Sequence, residues 1–525
     1  MSTDVVRVRT GVYHDSVSLM RISRAAGALP GVQVAVVAMA TELNLGVAAE
    51  LGFDLPAAGP ADLLIALRGD GPDELEAASA ELDRLLAGLA GGTPAGPAAE
   101  RPPRTVRAAA RDRGGAGATG AAVVLVSVPG PYAFAEALDA VEAGLSVMVF
   151  SDNVPVEQEV LLKRRAAERD VLVMGPDCGT AVIGGAGLGF ANVLRPGPVG
   201  VVAASGTGAQ QVTCLLDLAG VGVGQVLGVG GRDLSAEVGG LSTLRALRAL
   251  DADPGTELIL LVSKPPAPEV ARVVEEAVAG LGTPVVTALL GPDGDDLTTA
   301  AEAVLRRLGT PVPEWPSWPA AGVAATGPGD TASASATSDS ATSDSAVSAG
   351  AGDGVTPGGT GGTGGAAAPA VPAAPAVPAA PAGRLRGIYA GGTLCTEARL
   401  VAGTGEFTDF GDDAYTRGRA HPMIDPTLRL EALAAVPAGD VALLDVVLGH
   451  GADPDPAARL APEIASARAR GVTVVVALVG TEGDPQGLHA QARALQAAGA
   501  AVFASNARAA AYAARVAPAG TATPR

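Results

Sequence analysis

Cysteine, lysine and aromatic residues are all scarce in this chain of 525 residues. The three cysteines, Cys178, Cys214 and Cys395, lie far apart and form no C-x-x-C pair, which argues against a disulfide framework or a zinc site and fits a reducing compartment. Aromatic residues make up 3% of the chain, so its cores must consist of Val, Leu, Ile and Ala. Lysine occurs only as Lys163 and Lys264, and arginine provides the other 34 of the 36 basic residues.

Positive net charge and long apolar runs are also missing. The net charge of −19 repels phosphate backbones and anionic lipid, so we expect neither nucleic acid nor a membrane surface as a partner. The start MSTDVVRVRT has no apolar core of a signal peptide, and no run of about 18 apolar residues predicts a membrane span. We therefore expect a cytoplasmic protein.

Apolar strands alternate with helical segments along most of the chain, which predicts an α/β fold with several doubly wound lobes built on parallel sheets. Two stretches interrupt this rhythm. Residues 91–117 are rich in Gly and Pro, and residues 311–383 contain Ser-rich, GGTGGTGG and APAVPAAPAV segments typical of a disordered linker. The predicted segments are 1–110, 118–196, 197–310, the linker 311–383, and 384–525.

Short loops, most of them rich in glycine, follow seven of the predicted strands. They read MGPDCGT, ASGTGAQ, GVGGRDL, VSKPP, YAGGTLCTEA, VLGHGADPDP and VGTEGDPQG. Any one of them is explained by a tight turn, but ligands of parallel sheets bind at the carboxyl ends of the strands, so seven together predict an extended cleft. None matches the P-loop of nucleotide triphosphatases, and none forms a clean dinucleotide-binding fingerprint.

Two of these loops share a physical character. Each follows an apolar strand, offers small residues and hydroxyl groups, and precedes a helix whose first N–H groups and dipole attract anions. An ordinary strand-to-helix turn is the alternative interpretation of each loop. The predicted phosphate-binding residues are Ser205, Gly206, Thr207, Gly208, Gly391, Gly392 and Thr393.

Three residues are candidates for catalysis. Lys264 ends an apolar strand and is followed by two prolines, so it could reach into the cleft as a point charge or remain a solvated loop lysine. Arg232 could hold a carboxylate or phosphate in a bidentate manner, or form a surface ion pair with Asp233 or Glu237. His421 is a candidate acid or base.

Substrate contacts are predicted around the same loops. The loop that contains His421 is dense in charge and could hold a small carboxylate, or serve as a contact between lobes or subunits. Cys178 is as well explained as a small core residue. No metal site is predicted, because the scattered carboxylates and single histidine have no diagnostic spacing. The candidate substrate-binding residues are Asp177, Cys178, Gly230, Gly231, Arg417 and Arg419.

The loop sequences resemble a known superfamily. GPVGVVAASGTG, MGPDCGT and GVGGRDL are similar to the α subunit of succinate–CoA ligase and other NDP-forming acyl-CoA synthetases, and IYAGGTLCTEA, LLDVVLGHGAD and VVVALVGTEGD to the C-terminal lobe of the β subunit. With YHDSVSLM, FSDNVPVE, VSKPP and GRAHPMIDPTLR, the chain resembles the FdrA family outside its low-complexity stretches. The resemblance implies a Rossmann-like lobe of the CoA-binding type at 118–196 and flavodoxin-like lobes at 197–310 and 384–525.

The chain departs from the ligases at three points. Their phosphorylated histidine lies in a Gly-His-Ala-Gly loop, and the corresponding stretch here, LLGPDGDDLTTAAEA, contains no histidine. The first 110 residues are too few for an ATP-grasp module, and they lack the glycine-rich loop that binds CoA in the ligases. The resemblance therefore implies phosphate-holding helix starts without a phosphate carrier or an ATP site.

The FdrA resemblance implies a component of a multi-subunit oxamate carbamoyltransferase in purine and allantoin breakdown. That enzyme exchanges a carbamoyl group between carbamoyl phosphate and oxamate, giving oxalurate and phosphate. The expected partners are an acyl or carbamoyl phosphate, a small carboxylate and other subunits of a hetero-oligomer. One alternative is an acyl-CoA synthetase that works with an ATP-grasp partner and uses CoA or a nucleotide; another is a non-catalytic scaffold that binds a phosphorylated metabolite.

Overall fold

The described part of the chain comprises four β-sheets and the helices that cover them. No helix in this part is long and apolar enough to cross a bilayer. All of these residues belong to one compact unit. The computed structural model describes residues 3–12, 14, 16–90, 105–112, 123–291, 294–320, 383–416 and 419–517.

The first sheet is antiparallel, so the prediction of parallel sheets is wrong for this lobe. Strand β3 lies between β1 and β2 and runs opposite to both. Because Met39 pairs with Leu63, α2 and the loop after it form an excursion at one end of the sheet and do not cross back along it. The elements are β1 (Thr3–Arg9), α1 (Ser16–Gly27), β2 (Val32–Met39), α2 (Glu42–Glu50), β3 (Leu63–Gly69) and α3 (Pro72–Ala90).

The second sheet has three parallel strands in the order β4-β5-β6. Its strands are short, and its helices bury alanine and valine against them. The elements are α4 (Val106–Asp112), β4 (Val123–Val126), α5 (Gly130–Glu142), β5 (Ser146–Val149), α6 (Val156–Glu168) and β6 (Val173–Met174).

The third sheet has six strands in the order β12-β11-β9-β10-β7-β8. The four strands from β9 to β12 are parallel, as predicted, and β7 and β8 form an antiparallel hairpin at one edge. The elements are β7 (Thr180–Ile183), β8 (Ala186–Gly189), β9 (Val199–Ala203), α7 (Gly206–Leu218), β10 (Val223–Gly228), α8 (Leu241–Asp251), β11 (Leu258–Ser263), α9 (Pro268–Ala279), β12 (Val285–Leu289) and α10 (Leu297–Arg307).

The fourth sheet has the order β13-β18-β17-β16-β14-β15, parallel except for β13. Its elements are β13 (Ser317–Trp318), β14 (Leu385–Tyr389), α11 (Gly392–Ala402), β15 (Glu406–Asp409), α12 (Asp413–Thr416), α13 (Thr427–Ala434), β16 (Val441–Val447), α14 (Pro456–Ala469), β17 (Thr473–Val479), α15 (Leu488–Ala497), β18 (Ala501–Phe503) and α16 (Asn506–Val516).

Residues 311–320, which the sequence assigns to the linker, form an ordered strap. Trp315 is buried and its Nε1 donates to Glu302 at 3.0 Å, while β13 pairs with β18 of the fourth sheet. The buried Trp315 side chain anchors this strap against the fold. The remainder of the predicted linker, up to residue 382, lies outside the described residues.

The third and fourth sheets share one hydrophobic core. Leu215 of α7 and Leu394 of α11 belong to the same buried cluster as Ala510 of α16. Gln211 also bonds across the boundary, donating to the Ala504 carbonyl and accepting from the Asn506 N–H, both at 3.0 Å. This shared core fixes the start of α7 relative to the start of α11.

Candidate functional site

The start of α7 lies at the carboxyl end of β9, as the sequence predicts. Ser205 is the N-cap, and its Oγ accepts a bond from the Gly208 N–H at 2.9 Å. The Gly208 N–H is therefore used inside the loop, whereas those of Gly206 and Thr207 precede the helical hydrogen-bond ladder. A Cβ on Gly208 would lie 2.6 Å from Ser205 Oγ, so this glycine shapes the cap.

A buried carboxylate accepts hydrogen bonds from the backbone at the start of α11. Asp445, in the middle of β16, accepts bonds from the N–H groups of Ala390 and Gly391 at 2.8 and 2.9 Å. Arg429 donates to the same carboxylate at 2.9 Å, and both side chains are buried. Burial raises the pKa of Asp445, and Arg429 opposes that rise. The Gly391 N–H is thus already bonded, and Gly392 and Thr393 carry the open N–H groups of this helix start.

The two helix starts meet directly. Ser205 Oγ donates to Thr393 Oγ1 at 2.6 Å, and both residues are buried. A Cβ on Gly391 would lie 2.6 Å from Thr207 Oγ1, so the close approach requires glycine at this position. The structure therefore brings together all seven residues that the sequence proposes for phosphate binding.

Lys264 and Asp409 flank the start of α11. A Cβ on Gly392 would lie 2.5 Å from Asp409 Oδ2 and 3.1 Å from Lys264 Nζ. Burial raises the pKa of Asp409, an effect that the Gly411 N–H and Lys264 oppose and that Asp445 and Asp412 reinforce. Lys264 is exposed at the carboxyl end of β11, so an ammonium group and a carboxyl group with a raised pKa lie beside the helix start.

Asp177 lies at the same edge of the molecule. Its side chain is open to solvent, yet protein surrounds it closely enough that desolvation, reinforced by Asp152 and Asp413, raises its pKa to about 7. Lys264 and Arg232 act in the opposite direction. Asp177 can therefore exchange a proton near neutral pH.

His421 is near the same cluster but is unsuited to the acid–base role that the sequence suggests. Burial lowers its pKa to about 4, so the imidazole is neutral at physiological pH. Its Nδ1 accepts a bond from the Met423 N–H at 3.3 Å, which leaves the proton on Nε2. A Cβ on Gly411 would lie 3.1 Å from both His421 Nε2 and Asp409 Oδ1. His421 is therefore a neutral imidazole that can donate through Nε2, which lies close to Gly411.

Cys178 and Gly230 are packing residues and not the substrate contacts that the sequence suggests. The Cys178 thiol is buried in the core of the third sheet, where it donates to the Thr180 carbonyl at 3.5 Å and burial raises its pKa to about 12. Gly230 has a φ of 90°, and a Cβ there would collide with the Pro176 carbonyl. Cys178 is thus a core residue, and Gly230 permits close backbone packing. Gly231 is exposed, and a Cβ there would lie 3.7 Å from Asp177 Oδ2.

The three candidate arginines differ in what the structure shows of their surroundings. Arg232 is half exposed and pairs with Glu159 at 2.9 Å, a partner that differs from both Asp233 and Glu237. Arg419 is exposed in the loop before His421. Arg417 lies outside the described residues.

Sequence reasoning assigned no role to several buried charged residues around this site, among them Asp445, Glu159 and Lys163. Asp445 interrupts the apolar run DVALLDVVLG, and a lone acid inside a buried strand is a usable signal because such a group needs partners. Lys163 was visible as one of only two lysines. Glu159 sits on a helix of mixed polarity and gave no comparable signal.

Comparisons with known proteins cover up to 95% of this chain. The profile of a family described as "AllF, heavy metal-associated domain" matches residues 1–102, and that of "CoA-ligase" matches residues 388–516. "Uncharacterized protein YahF" of Escherichia coli is 35% identical over 538 positions, which cover 95% of each chain. "Succinate--CoA ligase [ADP-forming] subunit alpha 2" of Archaeoglobus fulgidus is 29% identical over 171 residues, 32% of this chain and 58% of that subunit.

A solved structure of a dinucleotide-forming acetyl-coenzyme A synthetase from Ca. Korarchaeum cryptofilum is 14% identical to this chain. The match covers 75% of this chain and 82% of the synthetase chain. Its TM-score is 0.26, which is too low to support a structural conclusion.

The heavy-metal description does not fit the residues present in this chain. Residues 1–102 contain no cysteine and a single histidine, His14, whereas soft metals need thiolate ligands. No cluster of three or more potential ligands occurs in the described part of the chain. The match to the first profile is therefore evidence of family relationship only. Since YahF matches end to end and the CoA-ligase profile matches the last lobe, the chain belongs to the FdrA family of succinate–CoA ligase-like proteins.

Proposed function

We propose that this chain is a subunit of an enzyme that transfers the acyl group of an acyl phosphate. The specific reaction we propose is carbamoyl exchange between carbamoyl phosphate and oxamate, which gives oxalurate and phosphate. The observation that carries the proposal is the meeting of the α7 and α11 starts through Ser205 and Thr393, with Lys264 beside Gly392. We call the place where the starts of α7 and α11 meet the seam. A phosphate bound there faces two helix dipoles, each contributing about 1 kcal/mol, and the Lys264 ammonium group.

The surrounding residues offer roles for a transfer reaction. Arg232 is suited to the carboxylate of oxamate, and His421 Nε2–H to polarisation of a carbonyl oxygen. In the forward step the amide nitrogen of oxamate attacks the carbamoyl carbon, the bond from that carbon to the phosphate oxygen breaks, and phosphate leaves. The proton released by the nitrogen passes to Asp177, whose raised pKa suits such a transfer.

The absence of a carrier histidine supports transfer from a preformed acyl phosphate. The stretch at 289–303 contains no histidine, so this chain lacks the group that the ligases phosphorylate. Positioning and electrostatic stabilisation of the leaving phosphate are then the contributions that a protein cleft can make.

A second candidate function is favoured by the match of residues 388–516 to the CoA-ligase profile. In this alternative the chain is the acyl-CoA synthetase half of a complex in which a partner supplies the ATP-grasp module. CoA and a nucleotide would then be its cofactors.

One assay separates these functions. The purified chain, alone and with the products of neighbouring genes, is incubated with carbamoyl phosphate and oxamate, and phosphate and oxalurate are measured. We expect equimolar release, and a strong loss in Gly392→Ala, where the added methyl group crowds Lys264, but none in Gly46→Ala, where it meets open space. Thioester formation that requires ATP and CoA would favour the ligase. Ligand binding without turnover in any combination would favour a scaffold.

A further inference from the structure

A buried group of charges lies beneath the loop that carries Arg232. Lys163, on α6, is 2% exposed, and its Nζ donates to Glu159 Oε1 at 2.7 Å, to Asp233 Oδ1 at 2.6 Å and to the Val229 carbonyl at 3.0 Å. All three donors of the ammonium are thus satisfied. The Lys163 ammonium group therefore links α6 to Val229 and Asp233, the two ends of the loop 229–233.

The requirement for lysine at this position is geometric. The three acceptors converge on a single nitrogen, which an ammonium can serve and a planar guanidinium cannot. The chain uses arginine for 34 of its 36 basic residues, and lysine persists here and at Lys264. Both exceptions lie near the proposed cleft.

Each carboxylate of the cluster has a second task. Asp233 accepts bonds from the N–H groups of Ser242 and Thr243, at 3.1 and 2.8 Å, next to the start of α8. Glu159 is fully buried, and its Oε2 faces Arg232 Nη2 at 2.9 Å without a well-aligned hydrogen bond. The same Nη2 donates to the Val154 carbonyl at 2.7 Å.

These contacts fix one end of the guanidinium and leave the rest available. Both contacts involve Nη2, so Nε and Nη1 lie outside them, and 46% of the side chain is exposed. Arg232 also acts on the charge of Asp177. Two carboxylates and two cations balance within the cluster, so loss of the Glu159 charge would leave Arg232 Nη2 held by the Val154 carbonyl alone and loosen the guanidinium.

We propose that Glu159, fixed by Lys163, is a positioning residue that presents Arg232 to the carboxylate of the substrate beside Asp177. The identity of the substrate rests on the proposed function. The seating of Arg232, by which we mean the position in which Glu159 and Val154 hold its guanidinium, does not. Glu159 acts through Arg232 and touches no substrate itself.

Chemical labelling tests whether Glu159 holds the Arg232 guanidinium in place. The full-length protein is treated with phenylglyoxal, and each arginine's modification is measured by mass spectrometry. In Glu159→Gln we expect Arg232 to react several-fold faster, since an amide no longer holds the guanidinium. Arg165, which is 51% exposed, serves as the internal reference, and Glu157→Gln, an exposed neighbour on α6, is the matched control. Unchanged Arg232 reactivity in the folded variant would overturn the proposal.

A second variant covers the case in which Glu159→Gln does not fold. Glu159→Asp keeps the charge but is one methylene too short to contact Lys163 and Arg232 together. We expect the same gain in Arg232 reactivity, and an unchanged rate would again contradict the seating.

Kinetics test the role in binding. In Glu159→Gln the KM for oxamate should rise about tenfold while the KM for carbamoyl phosphate stays within twofold, and adding Arg232→Gln should give little further loss. An equal rise of both KM values would indicate general damage and overturn the proposal. If the wild-type protein shows no transfer, the proposed function fails while the labelling result still decides the seating of Arg232.

Discussion

The contact between the two helix starts makes a quantitative prediction about Ser205 and Thr393. Ser205→Ala removes the bond to Thr393 at 2.6 Å and the cap bond from Gly208 at 2.9 Å. The cap contributes about 1 kcal/mol and the buried bond about 1 kcal/mol, so the variant should lose about 2 kcal/mol. Thr393→Val removes only the bond between the lobes and should lose about 1 kcal/mol. The double variant should lose about 2 kcal/mol, since that bond is counted once.

Thermal unfolding followed by circular dichroism measures these differences. At roughly 2–4 °C per kcal/mol, the coupling between the two sites should appear as about 3 °C of non-additivity in Tm. Thr396→Val is the matched control, because its hydroxyl bonds to the Gly392 carbonyl within the same helix at 2.8 Å. Additive losses for Ser205→Ala with Thr393→Val, equal to those with Thr396→Val, would refute the direct link between the helix starts.

Three further predictions concern pH, stability and ligand binding. Asp177 gains negative charge as the pH rises through about 7, so sulfate affinity measured by calorimetry should fall about threefold from pH 6 to 8, and Asp177→Asn should show a flat profile. A slope that survives in Asp177→Asn would assign the effect elsewhere. The buried Glu397 carboxyl group accepts bonds from the Leu297 N–H at 2.6 Å and from Asn506 Nδ2 at 2.7 Å. Glu397→Ala leaves both donors without an acceptor and should cost about 2–4 kcal/mol in chemical denaturation; a loss below about 1 kcal/mol would argue against these two bonds. Gly392→Ala should weaken phosphate binding about tenfold, because the methyl group crowds Lys264 Nζ beside the helix start, with Gly46→Ala unchanged; equal affinity in both would place the phosphate away from α11.

Local features of the site could be predicted from the sequence because they depend on neighbours in the chain. The apolar strand before Ser205 and the small residues after it specify a cap and a helix start, and the same holds at Gly391. That Ser205 and Thr393 touch could not be derived from local sequence patterns, since 188 positions separate them and their approach depends on how two sheets pack. For the same reason the pairing of Arg232 with Glu159 was beyond local patterns.

The errors also have physical causes. A strand–helix–strand pattern indicates the order of elements, but the direction of β3 depends on where the chain returns after α2, which the pattern does not contain. His421 was expected to exchange protons because its type commonly does so. Burial and the bond from the Met423 N–H make it a neutral donor instead, and neither is visible in the sequence.

The buried polar contacts between the third and fourth sheets restrict how this site can work. Besides the link between Ser205 and Thr393, Asn192 donates to Asp484 at 2.7 Å and Gln211 to the Ala504 carbonyl at 3.0 Å. Parting the sheets without water in the gap would leave each buried group unpaired at about 1–3 kcal/mol, several kcal/mol in total. Under the proposed function, the substrate would therefore reach the two helix starts from the solvent side, where Lys264 is exposed. Under the proposed function, this fixed geometry agrees with the absence of histidine from residues 289–303, because a phosphate bound between closed helix starts would react where it binds.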